Sequence, residues 1–180
     1  MKLGIMQPYL FPYLGYFQLM EAVDTFVIYD DVQYIKHGWI NRNNLLGFGK
    51  TPETTVLPFT FSVKRDSMEL NINQRYYSES FKAEADTFLK TLQRRYSKAP
   101  YYDEVSHLIK DILSYSSRNV AEFNANSMKC IAEYCGIETE FMFSSELDIP
   151  DDLKAQKRIL HICKELKTDE YINPIGGIEL

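Results

Sequence analysis

KLGIMQPYLFPYLGYFQLMEAVDTFVIYDD, from Lys2 to Asp31, decides the fold. Lys2–Met6 is a short apolar run of β character. Pro8 and Pro12 then hold the chain open, because proline has no N–H to donate and restricts the residue before it. Tyr16 to Val23 carries Phe17, Leu19 and Met20 on one apolar face, which predicts a helix. Asp24–Tyr29 is rich in aromatic and β-branched residues, the composition of a strand. Strand, proline-bearing loop, helix and strand make a βαβ unit, with parallel strands and a right-handed connection.

The rest of the chain extends that unit. Leu45–Thr51, with Gly47 and Gly49, reads as a loop. Thr54 to Phe61 reads as a strand whose Pro58 assigns it to an edge or an end. Val63–Asn73 is irregular. Ser80–Tyr96 places Phe81, Ala85, Phe88, Leu89 and Leu92 on one helical face. Tyr101–Tyr115 and Val120–Tyr134 read as two further helices, the second closed by Gly136. Thr139–Phe143 returns to strand, Asp151–Leu166 to helix, and Glu170–Ile172 is a short final strand. The expected class is α/β: a Rossmann-like, mostly parallel sheet with a largely helical insertion or second half. One domain is expected over residues 1–180, with a helical block at about 79–136.

The polar segment Asp30–Asn43 leaves the second strand at its carboxyl end, where open α/β sheets bind ligands. Gln7–Tyr16 leaves the first strand at the same edge, so the two segments are expected to face each other. Lys36 and Arg42 suit phosphate or carboxylate. Trp39 beside them offers a ring face for stacking. Gln33, Asn41 and Asn43 carry the donors and acceptors that sugar hydroxyls demand. Asp30 and Asp31 could act as base, orient an amine or hold a divalent ion. His37 is a candidate base because histidine titrates near neutrality. His107 and His161 sit in helical patterns and read as structural.

Tyr13-Leu14-Gly15-Tyr16 lies between a strand and a helix. In arrangement it is similar to the turn of class I nucleotidylyltransferases, with tyrosines where that class has histidines. Tyrosine is neutral near pH 7, so the usual nucleotidyl transfer does not carry over. No P-loop, G-x-S-x-G or G-x-G-x-x-G motif is present.

A formal net charge of −5 argues against general nucleic-acid binding but leaves room for a local basic pocket. The three cysteines, Cys130, Cys135 and Cys163, form no disulfide or zinc pattern and read as buried free thiols. No run approaches the roughly 20 apolar residues of a membrane helix, and no signal peptide leads the chain. A cytoplasmic protein without a membrane span is expected. Tyrosine and phenylalanine number 13 and 11, an excess suited to pockets and interfaces.

Met6–Gln18 and Phe26–Asn43 together resemble the WbqC-like proteins. The likeness is dense over about the first 45 residues. It continues through Lys98-Ala99-Pro100-Tyr101 and Tyr171–Gly177. Members of that family run on for several dozen residues more, so the resemblance implies a chain lacking a C-terminal tail. It also implies a bacterial protein of O-antigen or other surface-polysaccharide biosynthesis, modifying a sugar precursor. Transfer of an aminoacyl group such as glycyl to an amino sugar is one form of that role.

The resemblance, taken with these residues, leads us to expect a transferase acting on a nucleotide-activated sugar, a small-molecule substrate. Lys36 and Arg42 take the phosphates, and Trp39 stacks with a ring from Tyr9, Tyr13 or Tyr16. Gln7, Gln33, Asn41 and Asn43 read hydroxyls, and Asp30, Asp31 or His37 is the base. The alternatives are a non-catalytic sugar-binding or scaffold module, and an ATP-dependent nucleotidylyl-transfer or ligase enzyme. No metal site, cofactor or oligomeric state is assigned.

Overall fold

The computed structural model describes residues 1–47 and 55–174. Its main sheet has four parallel strands: β1 (Lys2–Met6), β2 (Thr25–Ile28), β5 (Glu140–Phe143) and β6 (Glu170–Ile172), in the order β5-β2-β1-β6. Between β1 and β2 lies α1 (Leu14–Glu21), which starts two residues before the expected Tyr16. The initial strand–helix–strand unit is thus parallel, as the sequence predicts. All four residues of β2 are buried, as expected of a strand covered on both faces.

One face of the sheet is covered by α1 and by α4 (Val120–Tyr134). Tyr16, Leu19 and Met20 pack there with Phe26, Ile28 and Met128. The other face buries Leu3, Ile5 and Val27 against Ile162 of α5 (Ala155–Glu165). Each fully buried large apolar side chain contributes about 1.5–3 kcal/mol. The helical block consists of α2 (Phe81–Tyr96), α3 (Tyr102–Leu113) and α4. It has its own aromatic core, where Phe61, Tyr77, Phe81, Phe88 and Phe123 meet at ring-centroid distances of 4.9 to 6.4 Å. Phe81, Ala85, Phe88 and Leu92 are buried at the predicted helical spacing. Gly136 follows α4 at φ 73°, the left-handed cap expected there.

The structure corrects several expectations. Arg42–Leu46 is a strand, β3, paired antiparallel with β4 (Val56–Thr60) in a separate two-stranded sheet. Its sequence, R-N-N-L-L, lacks β propensity; its register with β4 and the bond from Asn43 to the Phe11 carbonyl compensate. The rest of the expected Leu45–Thr51 loop, from residue 48, lies outside the described residues. So does Thr54, the expected first residue of the following strand. Residues 175–177 of the Tyr171–Gly177 stretch lie outside them too. The last helix starts at Ala155 rather than Asp151, because residues 151–153 form a turn after Pro150 and Lys154 is extended. Cys130 and Cys163 are half-buried, with thiol pKa values pushed up by burial, but Cys135 is exposed at the end of α4.

Candidate functional site

Four long-range ties shape the chain after β2. Asn73 N–H donates to the Asp30 carbonyl (3.0 Å), Ile72 N–H to Val32 (2.9 Å), Tyr34 N–H to Leu70 (3.0 Å), and Phe61 N–H to Asn41 (2.9 Å). Leu10 N–H donates to the Ile40 carbonyl (2.9 Å), so the Gln7–Tyr16 and Asp30–Asn43 segments do meet. Between these ties Ile35–Gly38 makes a tight turn, closed by Gly38 N–H to Ile35 C=O at 3.0 Å. His37 sits at its corner with φ 66°, a left-handed conformation that costs a non-glycine residue roughly 1–2 kcal/mol. A Cβ on Gly38 would come within 3.0 Å of the Ile35 carbonyl oxygen, so a side chain there would crowd the turn.

This turn forms one wall of a cleft of about 610 Å³. Lys36, His37, Asn41 and Arg42 line it from the predicted segment. Lys64, Arg65 and Arg75 also line it, and sequence reasoning missed all three. The adjacent Lys64-Arg65 pair was a visible signal inside a stretch read only as irregular. Arg75 gave none. It reaches the cleft because the bridges Gln33–Asn71 and Val63–Tyr77 fold residues 63–77 back over the 30s. In a chain of net charge −5, Asp66 is the sole carboxylate among the described residues lining the cleft.

Also lining the cleft is buried Tyr34, whose hydroxyl donates to Asn41 Oδ1 at 2.9 Å. The Arg75 guanidinium lies 5.0 Å from the Tyr34 ring centroid. Burial raises the Tyr34 phenol pKa, and the nearby positive charges of Arg75 and Arg42 oppose that rise. Arg42 in turn lies 5.0 Å from the Trp39 ring centroid and donates to the His37 carbonyl. Trp39 itself is half-exposed and is not among the residues lining the cleft.

The other predicted residues have different surroundings. Asn41 Nδ2 donates to the Phe61 carbonyl (2.7 Å) and Asn43 Nδ2 to Phe11 (2.6 Å), so both amides brace backbone. Gln33 is exposed and donates to the Met68 carbonyl (2.9 Å). Tyr9 stacks on Tyr16 at 5.2 Å and Tyr13 meets Tyr16 edge-on at 5.6 Å. Tyr16 is buried and donates to the Gln7 carbonyl (3.2 Å), which makes this group an aromatic anchor for α1. Gln7 and these three tyrosines are not among the residues lining the cleft.

Asp30 and Asp31 are held away from the basic cleft. Asp30 accepts from Ser144 Oγ (3.1 Å), Ser145 N–H (3.1 Å) and Ser145 Oγ (2.8 Å). Asp31 accepts from Ser144 Oγ and pairs with Arg158. Asp30 borders a second, neighbouring cavity of about 400 Å³ with Asn73, Asn119 and Glu122. His107 and His161 contact backbone carbonyls within their own surroundings, away from the cleft. Among the described residues, no group of three His, Cys, Asp or Glu side chains could hold a metal. No described helix is long and apolar enough to cross a membrane.

Fold and site together define an α/β protein whose cation-lined cleft is built on the segment leaving the carboxyl end of a parallel sheet. The chain belongs to the WbqC-like protein family, whose model matches residues 7–180; the family is associated with polysaccharide biosynthesis. An uncharacterised protein of Mycobacterium tuberculosis, Rv1507c, is 26% identical over 179 residues, covering 96% of this chain and 71% of the relative. No solved structure matches the chain.

Proposed function

We propose that this chain is a transferase that binds a nucleotide-activated amino sugar and modifies it for a bacterial surface polysaccharide. The single observation that carries the reading is the cation-lined cleft in an otherwise acidic chain. Lys36 and Arg42 hold the phosphates, since ammonium and guanidinium groups supply only donors and match phosphate oxygens. Trp39 offers its ring face to the base or the sugar. Asn41 and Asn43, with both amides engaged by the protein, position the strand that carries Arg42.

His37 is the candidate base, because it lines the cleft while Asp30 and Asp31 are engaged by Ser144, Ser145 and Arg158. In an aminoacyl transfer the sugar's amine attacks the activated acyl carbon. A C–N bond forms, the bond to the activating group breaks, and the amine proton passes to His37. Positioning of the two reactants supplies most of the acceleration.

A second reading rests on one observation. The His37 imidazole has no hydrogen-bond partner among the described residues, whereas a catalytic imidazole is ordinarily oriented by a third group. That favours a non-catalytic sugar-binding module using the same cleft.

The test is a titration of the purified protein with nucleotide-sugars, with and without magnesium, followed by thermal shift and by fluorescence of Trp39, the only tryptophan. Saturation at a hundredfold excess over Kd should stabilise the fold by about 2.7 kcal/mol. The shift should vanish in Arg42→Ala. Absence of a shift with every nucleotide-sugar overturns both readings; binding without turnover of any aminoacyl donor leaves the module.

A further inference from the structure

The geometry points to Arg75 as the second half of a clamp with Arg42, built for the diphosphate of the ligand rather than for a single phosphate or carboxylate. This rests on the reading of the cleft as the nucleotide-sugar site.

Arg75 is 8% exposed, an extreme burial for a side chain that is permanently charged. A buried charge is costly unless a counter-charge or a full set of hydrogen bonds answers it. Arg75 has neither in full. Its two terminal nitrogens donate to the Ser67 carbonyl (2.7 Å) and the Lys64 carbonyl (2.9 Å), while its Nε is buried without a partner. Arg42 repeats the pattern among the described residues: one donation to the His37 carbonyl, and a buried Nε without a partner. Among the described residues neither arginine has a carboxylate within ion-pair distance, although Lys64 does, in Glu79 at 2.7 Å.

Each guanidinium has five N–H donors in a planar fork. Arg75 commits two of them to carbonyls and Arg42 one, and each buries its Nε–H, which leaves two N–H groups of Arg75 and three of Arg42 for a ligand. Both line the cleft: Arg75 lies 5.0 Å from the Tyr34 ring centroid, and Arg42 directly follows Asn41, whose Oδ1 accepts from the Tyr34 hydroxyl. With Lys36 and Arg65 they set four cations against Asp66. One phosphoryl group carries a charge of about −1.5 to −2 and three oxygens. A diphosphate, with more charge and more oxygens spread over two centres, matches two separate forks. The carbonyl bonds from Arg75 also fix the 64–67 loop, so the same side chain that meets the ligand holds one wall of its site.

The experiment compares inorganic phosphate with inorganic pyrophosphate, and UMP with UDP, by calorimetric titration of the full chain. The variants are Arg75→Lys, Arg42→Ala and, as a control, the exposed Lys157→Ala. Pyrophosphate and UDP should bind at least about tenfold more tightly than phosphate and UMP, the effect of one added charge-assisted contact. Arg75→Lys keeps the charge but loses the fork. At an unchanged melting temperature it should erase that preference, as should Arg42→Ala, while Lys157→Ala keeps it. If Arg75→Lys lowers the melting temperature, Arg42→Ala, on the edge hairpin, decides alone.

Equal affinity for mono- and diphosphates, or a preference that survives in Arg42→Ala, overturns the clamp. The two readings fail separately. Pyrophosphate bound through both arginines without turnover of any nucleotide-sugar removes the transferase and leaves the clamp. Turnover that is indifferent to Arg75→Lys removes the clamp and leaves the transferase.

Discussion

The Tyr77 hydroxyl donates to Asn124 Oδ1 at 2.7 Å, and both side chains are fully buried. Asn124 Nδ2 in turn donates to the Pro8 carbonyl (2.9 Å) and the Ile40 carbonyl (2.8 Å). One amide on α4 therefore joins the loop after β1 to the segment that carries the cleft. The helical block positions the site through this contact.

Removing that amide should cost far more than an ordinary buried contact. Asn124→Leu strands the Pro8 carbonyl and the Tyr77 hydroxyl away from water, at about 1–3 kcal/mol each. A total loss of about 3 kcal/mol is expected in urea unfolding. Tyr77→Phe removes one bond and should cost about 1–2 kcal/mol. A loss below about 1 kcal/mol for Asn124→Leu would mean that these loops are not held through α4.

Arg158 tethers the start of the same segment from the opposite side of the sheet. It pairs with Asp31, with side-chain exposures of 11% and 19%, and lies 5.8 Å from the Tyr29 ring centroid. Breaking a buried pair leaves one charge uncompensated, which costs about 3–5 kcal/mol when burial is complete. With this residual exposure, Arg158→Ala should cost about 2–3 kcal/mol. Asp31→Asn should recover part of that loss in the Arg158→Ala background, because the stranded carboxylate is gone. A double-mutant cycle without coupling would reduce the pair to a surface contact.

The parallel core was legible because β1 and β2 are continuous apolar runs separated by a helical period and punctuated by prolines. The two facing segments followed from chain direction alone. The hairpin of β3 and β4 was not legible, since Arg42-Asn43-Asn44 has no strand periodicity and is fixed by its partner's register. Lys36, His37 and Arg42 could be picked out by chemistry and position. Arg75 could not: isolated in its stretch, it acquires its place only from bridges between residues 38 and 14 positions apart. Asp30 and Asp31 look like free carboxylates in the sequence, because Ser144, Ser145 and Arg158 lie more than a hundred positions away.

Buried phenols should make the protein sensitive to alkali. Burial holds the Tyr16 and Tyr77 pKa values well above the ordinary value near 10, and pushes Tyr171 up to about 12. A folded-state pKa above the unfolded one means that the unfolded chain releases protons the native chain retains. The corresponding stability is intact below about pH 10 and drains away as pH climbs beyond it. Unfolding free energy should therefore fall steeply above about pH 10. Phenolate absorbance from the last of the 13 tyrosines should appear together with loss of the circular dichroism signal. Complete phenolate formation in a still-native protein would contradict the burial of these rings.

His37 permits a separation of backbone from chemistry. Its φ of 66° is strained for any residue with a Cβ and comfortable for glycine. His37→Gly should therefore be more stable than His37→Ala by about 1 kcal/mol, read from urea midpoints at equal slope. Both variants lack the imidazole. If it accepts the amine proton, both should lose about 100-fold or more in turnover, the low end of general-base catalysis, with nucleotide-sugar affinity kept. If turnover instead follows stability, so that glycine retains activity and alanine loses it, the turn geometry matters and the base lies elsewhere. The His37→Asn variant, which tolerates the left-handed conformation without supplying a base, should then behave like glycine.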